Sequence, residues 1–513
     1  MSDAPAQGTV HPPTWEAHLP PGTDPATVAL TPAANLTARW VAHWRARPGD
    51  VFLLDDHGDS LSGAELDAAT ATAAGRLAGR GLRAGDRVLI SCGSSLELAI
   101  AHIGALRLGL VVIPANTAYR AEELAHIIGD AEPRLAIIDD PERAGWVRQA
   151  APIEVLAPEL AVADADGGGL PALDATTLES PALIGYTSGT TGRPKGAVLS
   201  HGNLLASVEA VRIAWRWTPS DRLWLCLPLF HMHGLGVGLH GTLAVGASAV
   251  ISARFDLDAL LDAARQRRAT MFFGVPTMYS RLAAAADAGA LANLRLLVSG
   301  SAPLPADLHR ALEQASGARV LERYGMTETA MLVSNPFDGD RRPGTVGIPL
   351  PGVELRLDAA TSEVLVKGPN VFGGYLGRPD ANAEAFTADG FFHTGDVGEY
   401  DEAGYLKLVA RMKELIISGG YNVYPREVED ALRLHPAVHD AAVVGEADPE
   451  WGEAVTAYCE TDGSVSGEEL IAFVGEHLAR YKRPKRVSIV SALPRNAMGK
   501  VVKASLADAP TTG

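Results

Sequence analysis

Apolar positions follow two rhythms along this chain. Up to residue 139, short unbroken apolar runs at 51–54, 87–91, 111–114 and 135–139 alternate with longer stretches at 35–47, 60–81, 95–108 and 121–129. In the longer stretches apolar residues recur every three or four positions. The short runs predict buried strands and the longer stretches predict helices. Pro48-Gly49 stops the first helix, and turns fall at 55–58 and 83–86. Such a β-α-β-α order predicts a mainly parallel sheet with helices on its faces.

Two further apolar runs, 181–185 and 197–199, flank the polar stretch 186–196 and predict a hairpin. A helix is expected over 202–216. Strands are then expected at 223–229, 247–251, 270–273, 295–298 and 319–322 with helices between them, which makes a second doubly wound sheet. From 345 to 409 the pattern changes to short strands, at 353–357, 363–367, 398–400 and 406–409, separated by Gly/Pro turns. Beyond 411 it changes again: helix 426–434, strands 438–444 and 455–460, helix 466–478, strand 486–490. The expected fold class is therefore α/β. A large N-terminal domain, residues 1–410, holds two doubly wound sheets and a small β-rich subdomain. A compact α+β domain, residues 411–513, follows it. The Pro-rich opening, to about residue 26, reads as an irregular arm, and no internal repeat is visible.

Composition removes several classes of function. The formal charge is −17, which disfavours nucleic acid and anionic membrane as partners. No apolar run approaches the ~20 residues that span a bilayer. The first residues lack the basic and apolar regions of a secretory signal. The three cysteines, Cys92, Cys226 and Cys459, match neither zinc spacing nor a disulfide framework, which fits a cytoplasmic protein. One segment runs against the acidic balance. Between Tyr481 and Lys503 stand seven basic residues and no acidic one, either a solvated face or a partner for a polyphosphate.

The chemistry starts at the tip of the predicted hairpin, Tyr186-Thr187-Ser188-Gly189-Thr190-Thr191-Gly192-Arg193-Pro194-Lys195-Gly196. Backbone N–H groups freed by glycine, with hydroxyls and a lysine, suit the wrapping of phosphate oxygens. It is not a Walker A loop, in which Ser or Thr follows the lysine and a helix follows that. Further polar stretches fall at predicted strand ends, where α/β proteins bind ligands. They are Ser299-Gly300-Ser301-Ala302-Pro303, Arg323-Tyr324-Gly325-Met326-Thr327-Glu328-Thr329, Thr394-Gly395-Asp396, Arg411-Met412-Lys413-Glu414 with Ser418-Gly419-Gly420-Tyr421 close behind, and Pro494-Arg495-Asn496-Ala497-Met498-Gly499-Lys500.

In order and spacing these stretches resemble the adenylate-forming superfamily of acyl-CoA synthetases, carrier-protein adenylation domains and luciferases, over about residues 60–503. Leu227 to Leu235, Gly274 to Arg281, Leu321 to Thr329, Ser418 to Pro425 and Ala479 to Lys485 are most similar to malonyl-CoA synthetases and related small-acid ligases. The resemblance implies a two-step reaction. A small-molecule carboxylic acid attacks the α-phosphate of Mg²⁺-ATP, releasing pyrophosphate. The mobile C-terminal domain then rotates, and coenzyme A takes the acyl group from the adenylate.

The resemblance also implies roles. Thr187, Ser188, Gly189, Thr190, Thr191, Gly192 and Lys195 would hold the β- and γ-phosphates. Ser301, Ala302, Pro303, Arg323, Tyr324, Gly325 and Met326 would line the nucleotide, with Tyr324 stacked on adenine. Thr327 would meet the α-phosphate and Glu328 would place Mg²⁺. Asp396 and Arg411 would bind the ribose, Lys500 would bridge carboxylate and α-phosphate, and Lys413 would be the hinge. Ser418, Gly419, Gly420, Tyr421 and Lys482 would serve coenzyme A. His231, Gly274, Val275, Ser299, Gly300 and Met331 would build the acyl pocket, where Arg281 would select a short dicarboxylate such as malonate. His231 fits a core histidine equally well, and Arg281 a structural salt bridge.

Some features depart from the small-acid pattern. Ala410 replaces a glycine before the hinge, residues 358–363 form a short loop, and Thr329-Ala330-Met331-Leu332-Val333 is apolar. The arm with Trp15 and this apolar run suit a fatty or aryl acid. Other readings are transfer to an acyl-carrier protein or another nucleophile, activation of an oxyanion such as nitrite, or a regulatory nucleotide-binding protein without turnover.

Overall fold

The computed structural model describes residues 14–30, 34–161, 172–187, 194–418, 421–449, 451–496 and 499–510. Of these, 14–354 and 366–392 form a larger unit, and 355–365 with 393–510 form a smaller one.

The larger unit contains two sheets. In the six-stranded sheet, Glu154–Leu156, Leu135–Ile138, Arg87–Ser91, Val111–Pro114 and Pro181–Thr187 lie parallel in that order, and Lys195–Ser200 closes the edge antiparallel. The nine-stranded sheet runs Ile348–Pro349, Val333–Ser334, Val320–Tyr324, Leu296–Ser299, Met271–Gly274, Arg222–Leu225, Ser248–Ile251, Val51–Asp55, Ser60–Ser62. Its central strands, from Val320–Tyr324 to Val51–Asp55, are parallel. Both expected doubly wound sheets are thus present. Their continuous apolar runs are buried from both faces by helices, as in Leu296–Ser299, where every residue is buried.

One strand changes sheets relative to its place in the sequence. Val51–Asp55 pairs with Ser248–Ile251 and so belongs to the second series, not the first. The preceding helix, Leu36–Ala46, supplies the reason. Its Trp40 and Trp44 are fully buried. Its Arg39 Nε and His43 Nε2 meet the Ala244 carbonyl at 2.8 and 3.1 Å, and Arg47 Nη2 donates to Gly246 O. The helix therefore docks on the turn that launches strand Ser248–Ile251 and delivers its own strand beside it. Two boundaries also differ. Residues 60–62 are a strand, and Ser62 then caps helix Gly63–Gly79 through a capping box with Glu65. The strand expected at 223–229 ends at Leu225, and His233–Leu239 is a π-helix, a geometry that recurs at functional sites.

Beneath the nine-stranded sheet, Asp221 receives Arg295 Nε and Nη2 at 2.6 Å each and Thr270 Oγ1 at 2.8 Å. Burial pushes its carboxyl up, but Arg295 outweighs burial and holds it below the ordinary value. Replacing Asp221 with alanine strands Arg295 and should cost about 3–5 kcal/mol of stability, read as a lowered denaturant midpoint of the larger unit. A depressed carboxyl stabilises above its unfolded pKa, so in wild type this contribution is lost as acid protonates the group.

In the smaller unit, the sheet Glu354–Leu357, Glu363–Lys367, Phe392–Tyr400, Leu406–Arg411 carries the β-rich pattern expected after residue 345. The expected division after residue 410 runs inside this unit, because Arg411 pairs with Asp396 and Ala410 with Val397. The second sheet joins Tyr421–Val423, Ile416–Ser418, Gly452–Thr461 and Val438–Asp448, with Arg486–Val490 parallel to Gly452–Thr461. Helices Pro425–Arg433 and Gly467–His477 close its core of Ile416, Val428, Leu432, Val443, Val455, Leu470 and Val474.

No helix among the described residues is long and apolar enough to cross a membrane. Cys92, Cys226 and Cys459 are free and buried, and burial pushes each thiol up to about 12.

Candidate active site

The hairpin closes as expected, with Thr187 opposite Lys195. Ser188, Gly189, Thr190, Thr191 and Gly192 lie outside the described residues. The stem is anchored at its loop end. Tyr186 Oη donates to Asp130 at 2.7 Å, and Asp130 also pairs with Arg378. His126 Nε2 meets Pro194 O at 2.8 Å.

A segment that the sequence presents only as a Gly/Pro-rich turn region, 369–376, braces this hairpin. Val198 N donates to Gly374 O and Leu376 N to Gly196 O, at 3.1 and 2.8 Å. At its other end Asn370 Nδ2 donates to Thr329 O and Met331 O, at 2.9 and 2.8 Å. Between them Phe372 N donates to Glu328 O at 2.8 Å and Tyr375 Oη to Glu328 Oε1 at 3.0 Å. The same ring lies 5.3 Å from Lys195 Nζ. One segment thus joins the expected phosphate-holding lysine to the expected metal-holding carboxylate.

Thr327 is half-buried against the hairpin strand. A Cβ on Gly185 would lie 2.4 Å from Thr327 Cγ2. Gly185→Ala should therefore displace Thr327 and slow pyrophosphate release by about tenfold or more, since a 1 Å misplacement alone can cost 10²-fold. Conversion of ready-made acyl-adenylate should persist, and equal loss of both half-reactions would refute this reading. Two non-glycine residues near this loop sit in the left-handed region, Ser301 at φ 69° and Ala330 at φ 52°. Such strain gathers where a loop is shaped for a ligand. Gly325 permits the tight fold, because a Cβ there would sit 1.9 Å from Ala330 O. Tyr324 is buried at the end of its strand, opposite Val333; Ala302 and Met326 are half-buried and Pro303 is exposed.

Arg323 occupies a place that the sequence reading does not give it. Its guanidinium lies over Gly300, where a Cβ would come within 2.3 Å of Cζ. The residue is buried, and its Nε and Nη2 have no hydrogen-bond partner among the described residues. Burial pulls its pKa down to about 9, so it remains a cation at neutral pH. Beside it, burial and the Arg323 charge hold His231 at about 4 and drive His233 well below its ordinary value. His233 Nδ1 meets Ser301 Oγ at 3.3 Å, its ring stacks on Phe273, and its buried Nε2 has no partner among the described residues. Gly274, Val275, Ser299 and Met331 are buried at the ends of the same sheet and in the 329–331 loop. Arg281 does not join them. It is exposed on helix Pro276–Ala283, with its guanidinium 4.9 Å from the Phe255 ring centroid. An arginine in the last turn of a helix and stacked on an aromatic ring is accounted for by packing.

The smaller unit carries the other expected residues. Asp396 is buried and pairs with Arg411 Nε at 2.8 Å. Lys500 follows Gly499, which has φ 73°, in a turn closed by Asn496. Crowding by protein and the neighbouring Arg411 lower its pKa, opposed by Glu414 and Asp396. Lys503, by contrast, is committed to Glu414 at 2.8 Å and Glu429 at 3.0 Å. Ser418 is buried, Gly419 and Gly420 lie outside the described residues, and Tyr421 is exposed and stacked on Tyr481 at 4.8 Å. Lys482 pairs with Glu427. Lys413 lies in the short helical turn Met412–Glu414.

Among the described residues no cluster of three or more His, Cys, Asp or Glu could hold a metal. A lone carboxylate such as Glu328 fits Mg²⁺, which keeps most of its waters and binds through one or two carboxylates plus substrate phosphates.

Comparison with known proteins gives a coherent set of matches. Residues 40–376 match the model for AMP-binding enzymes, and 427–500 that for the AMP-binding enzyme C-terminal domain. A feruloyl-CoA synthase from Amycolatopsis sp is 38% identical over 87% of this chain and 93% of its own length. A sulfoacetate–CoA ligase from Cupriavidus necator is 36% identical, with 92% and 97% covered. A malonate–CoA ligase from Arabidopsis thaliana is 35% identical, with 83% and 78% covered. The crystal structure of ATP-bound MatB from Rhodopseudomonas palustris superimposes with a TM-score of 0.87 at 40% identity, covering 92% of this chain and 98% of that one.

Proposed function

The chain belongs to the AMP-binding enzyme family, and from that premise we propose that it joins coenzyme A to a small carboxylic acid carrying a second anionic group, malonate being the simplest example. It is an AMP-forming acyl-CoA synthetase that uses ATP, Mg²⁺ and coenzyme A. The observation that carries the acid class is Arg323, a buried cation beside His231, His233 and Gly300 whose Nε and Nη2 have no partner among the described residues. A planar guanidinium in such a place recognises a carboxylate or sulfonate. Malonate and sulfoacetate, the acids named for two of the relatives, both carry such a group beyond the carboxylate to be activated. The apolar run at 329–333 does not argue for a fatty acid, because its backbone is bound by Asn370 and Ser207 and its side chains from Ala330 to Val333 are buried.

The chemistry asks little covalent work of the protein. Carboxylate and ATP repel one another, so the residues must supply positive charge and hold an in-line geometry. The hairpin with Lys195 holds the leaving pyrophosphate, Thr327 the α-phosphate, and Glu328 the ion that neutralises the phosphates. Tyr324 carries the adenine, with Ser301, Ala302, Pro303, Gly325 and Met326 around the nucleotide. Asp396 and Arg411 take the ribose, and Lys500 bridges the reacting carboxylate and phosphate. Lys413 is the pivot and Ser418 to Tyr421 line the pantetheine path. The ion pair to Glu427 weakens the case for Lys482 at coenzyme A.

ATP–pyrophosphate exchange with a panel of acids tests this reading. Malonate, methylmalonate and sulfoacetate should support exchange, while propionate and ferulate should not. Best exchange with ferulate or a fatty acid would overturn the acid class. Adding coenzyme A or an acyl-carrier protein separately then identifies the acceptor, for which we favour coenzyme A.

A further inference from the structure

We infer that Tyr375 is a positioning residue for adenylation, tying the hairpin lysine to the metal-holding carboxylate so that ATP meets both in register. The inference rests on the roles proposed for Lys195 and Glu328. Tyr375 makes two different contacts with them. Its hydroxyl donates to Glu328 Oε1 at 3.0 Å, and its ring centroid lies 5.3 Å from Lys195 Nζ. Its backbone is held independently of both. Tyr375 N donates to Asn382 Oδ1 at 2.6 Å, Asn382 Nδ2 returns a bond to Tyr375 O at 3.0 Å, and Tyr375 bridges Ala197 on the hairpin strand. The ring also packs edge-on against Phe372 at 4.9 Å. A side chain fixed at backbone, ring edge and hydroxyl has little freedom left. It therefore fixes the Glu328 carboxylate rather than following it.

The phenol is the donor in this bond, because an ionised carboxylate can only accept. A carboxylate held by a fixed donor keeps a defined direction, as partners behind metal ligands commonly arrange. The ring has a separate role. Its π-face lies against the Lys195 ammonium and holds it beside the hairpin strand.

Two variants separate the contacts. Tyr375→Phe keeps ring and backbone and loses only the hydroxyl. The Mg²⁺ concentration giving half-maximal binding of a non-hydrolysable ATP analogue, followed by calorimetry, should rise about tenfold, the usual weight of one hydrogen bond to a charged group. Affinity for the analogue without Mg²⁺ should hold. Tyr375→Leu should in addition weaken the analogue without Mg²⁺. Both variants should turn ready-made acyl-adenylate into thioester at the wild-type rate. An unchanged Mg²⁺ requirement in Tyr375→Phe would overturn the inference, provided that Glu328→Gln shifts it. If Glu328→Gln leaves the requirement unchanged too, the role of Glu328 itself has failed.

Discussion

Replacing Lys500 with alanine should cut acid-dependent pyrophosphate release by about 10²–10³-fold, the usual weight of one charge placed on a transition state. Conversion of ready-made acyl-adenylate to thioester should stay within about threefold of wild type, because a group used in one step alone affects that step alone. The contrast with its neighbour makes the expectation specific. Lys503 bonds Glu414, Glu429 and the Val443 carbonyl, so Lys503→Ala should destabilise the smaller unit and impair both half-reactions together. Lys500 has no ion pair with a described residue, and its turn is held by backbone bonds, by Asn496 Oδ1 and by Arg495 Nη1, which donates to Gly499 O at 3.0 Å. The pH profile gives a second reading of the same residue. Its pKa is lowered, first by crowding and then by Arg411, so its charge is present below that value and lost above it. Adenylation should begin to fall on the alkaline side before the ordinary lysine value of about 10.4. Lys500→Arg should move that limb to higher pH, and thioester formation from adenylate should lack it. Equal loss in both half-reactions, or an alkaline limb unchanged in Lys500→Arg, would remove Lys500 from the chemistry.

Most strands could be read from the sequence because buried parallel strands are short continuous apolar runs, and such runs are visible without knowing their partners. Pairing could not be read this way. Val51–Asp55 looks like every other run, and only the docking of Trp40, Trp44 and Arg39 sends it to the second sheet. The polar loops at strand ends announced themselves by composition, so Lys195, Thr327, Glu328, Asp396 and Lys500 were all candidates from the start. Asn370 and Tyr375 were not. They lie in Gly368-Pro369-Asn370-Val371-Phe372-Gly373-Gly374-Tyr375, which carries the signature of a turn. Their importance comes from partners 39 to 47 residues away. Arg281 and Arg323 show the same limit from the other side. Both are arginines at helix or strand ends near polar motifs, and no local pattern says which guanidinium is buried.

Arg323→Met should therefore produce two opposite effects. For a diacid such as malonate, kcat/KM should fall by about 10²–10³-fold, because two charge-assisted hydrogen bonds are removed from a buried site. A monoacid of similar length should lose little and should gain relative to malonate. The free enzyme, however, should become more stable. In wild type the guanidinium is buried over Gly300, and its Nε and Nη2 have no hydrogen-bond partner among the described residues. A cation whose pKa falls to about 9 on folding costs stability wherever it stays charged, which includes neutral pH. Methionine fills similar space without a charge, and replacing a strained buried charge by an apolar side chain can gain about 1–4 kcal/mol. Thermal denaturation reads both effects at once. Wild type should melt lower than Arg323→Met without ligand and should rise on adding malonate, while the variant should not respond. A buried arginine kept for packing alone would behave differently, with a lower melting temperature in the variant and no change in the ratio of diacid to monoacid. On the proposed reading, the two guanidinium nitrogens without a partner among the described residues cost stability in the empty enzyme, and the second anion of the substrate removes that cost on binding.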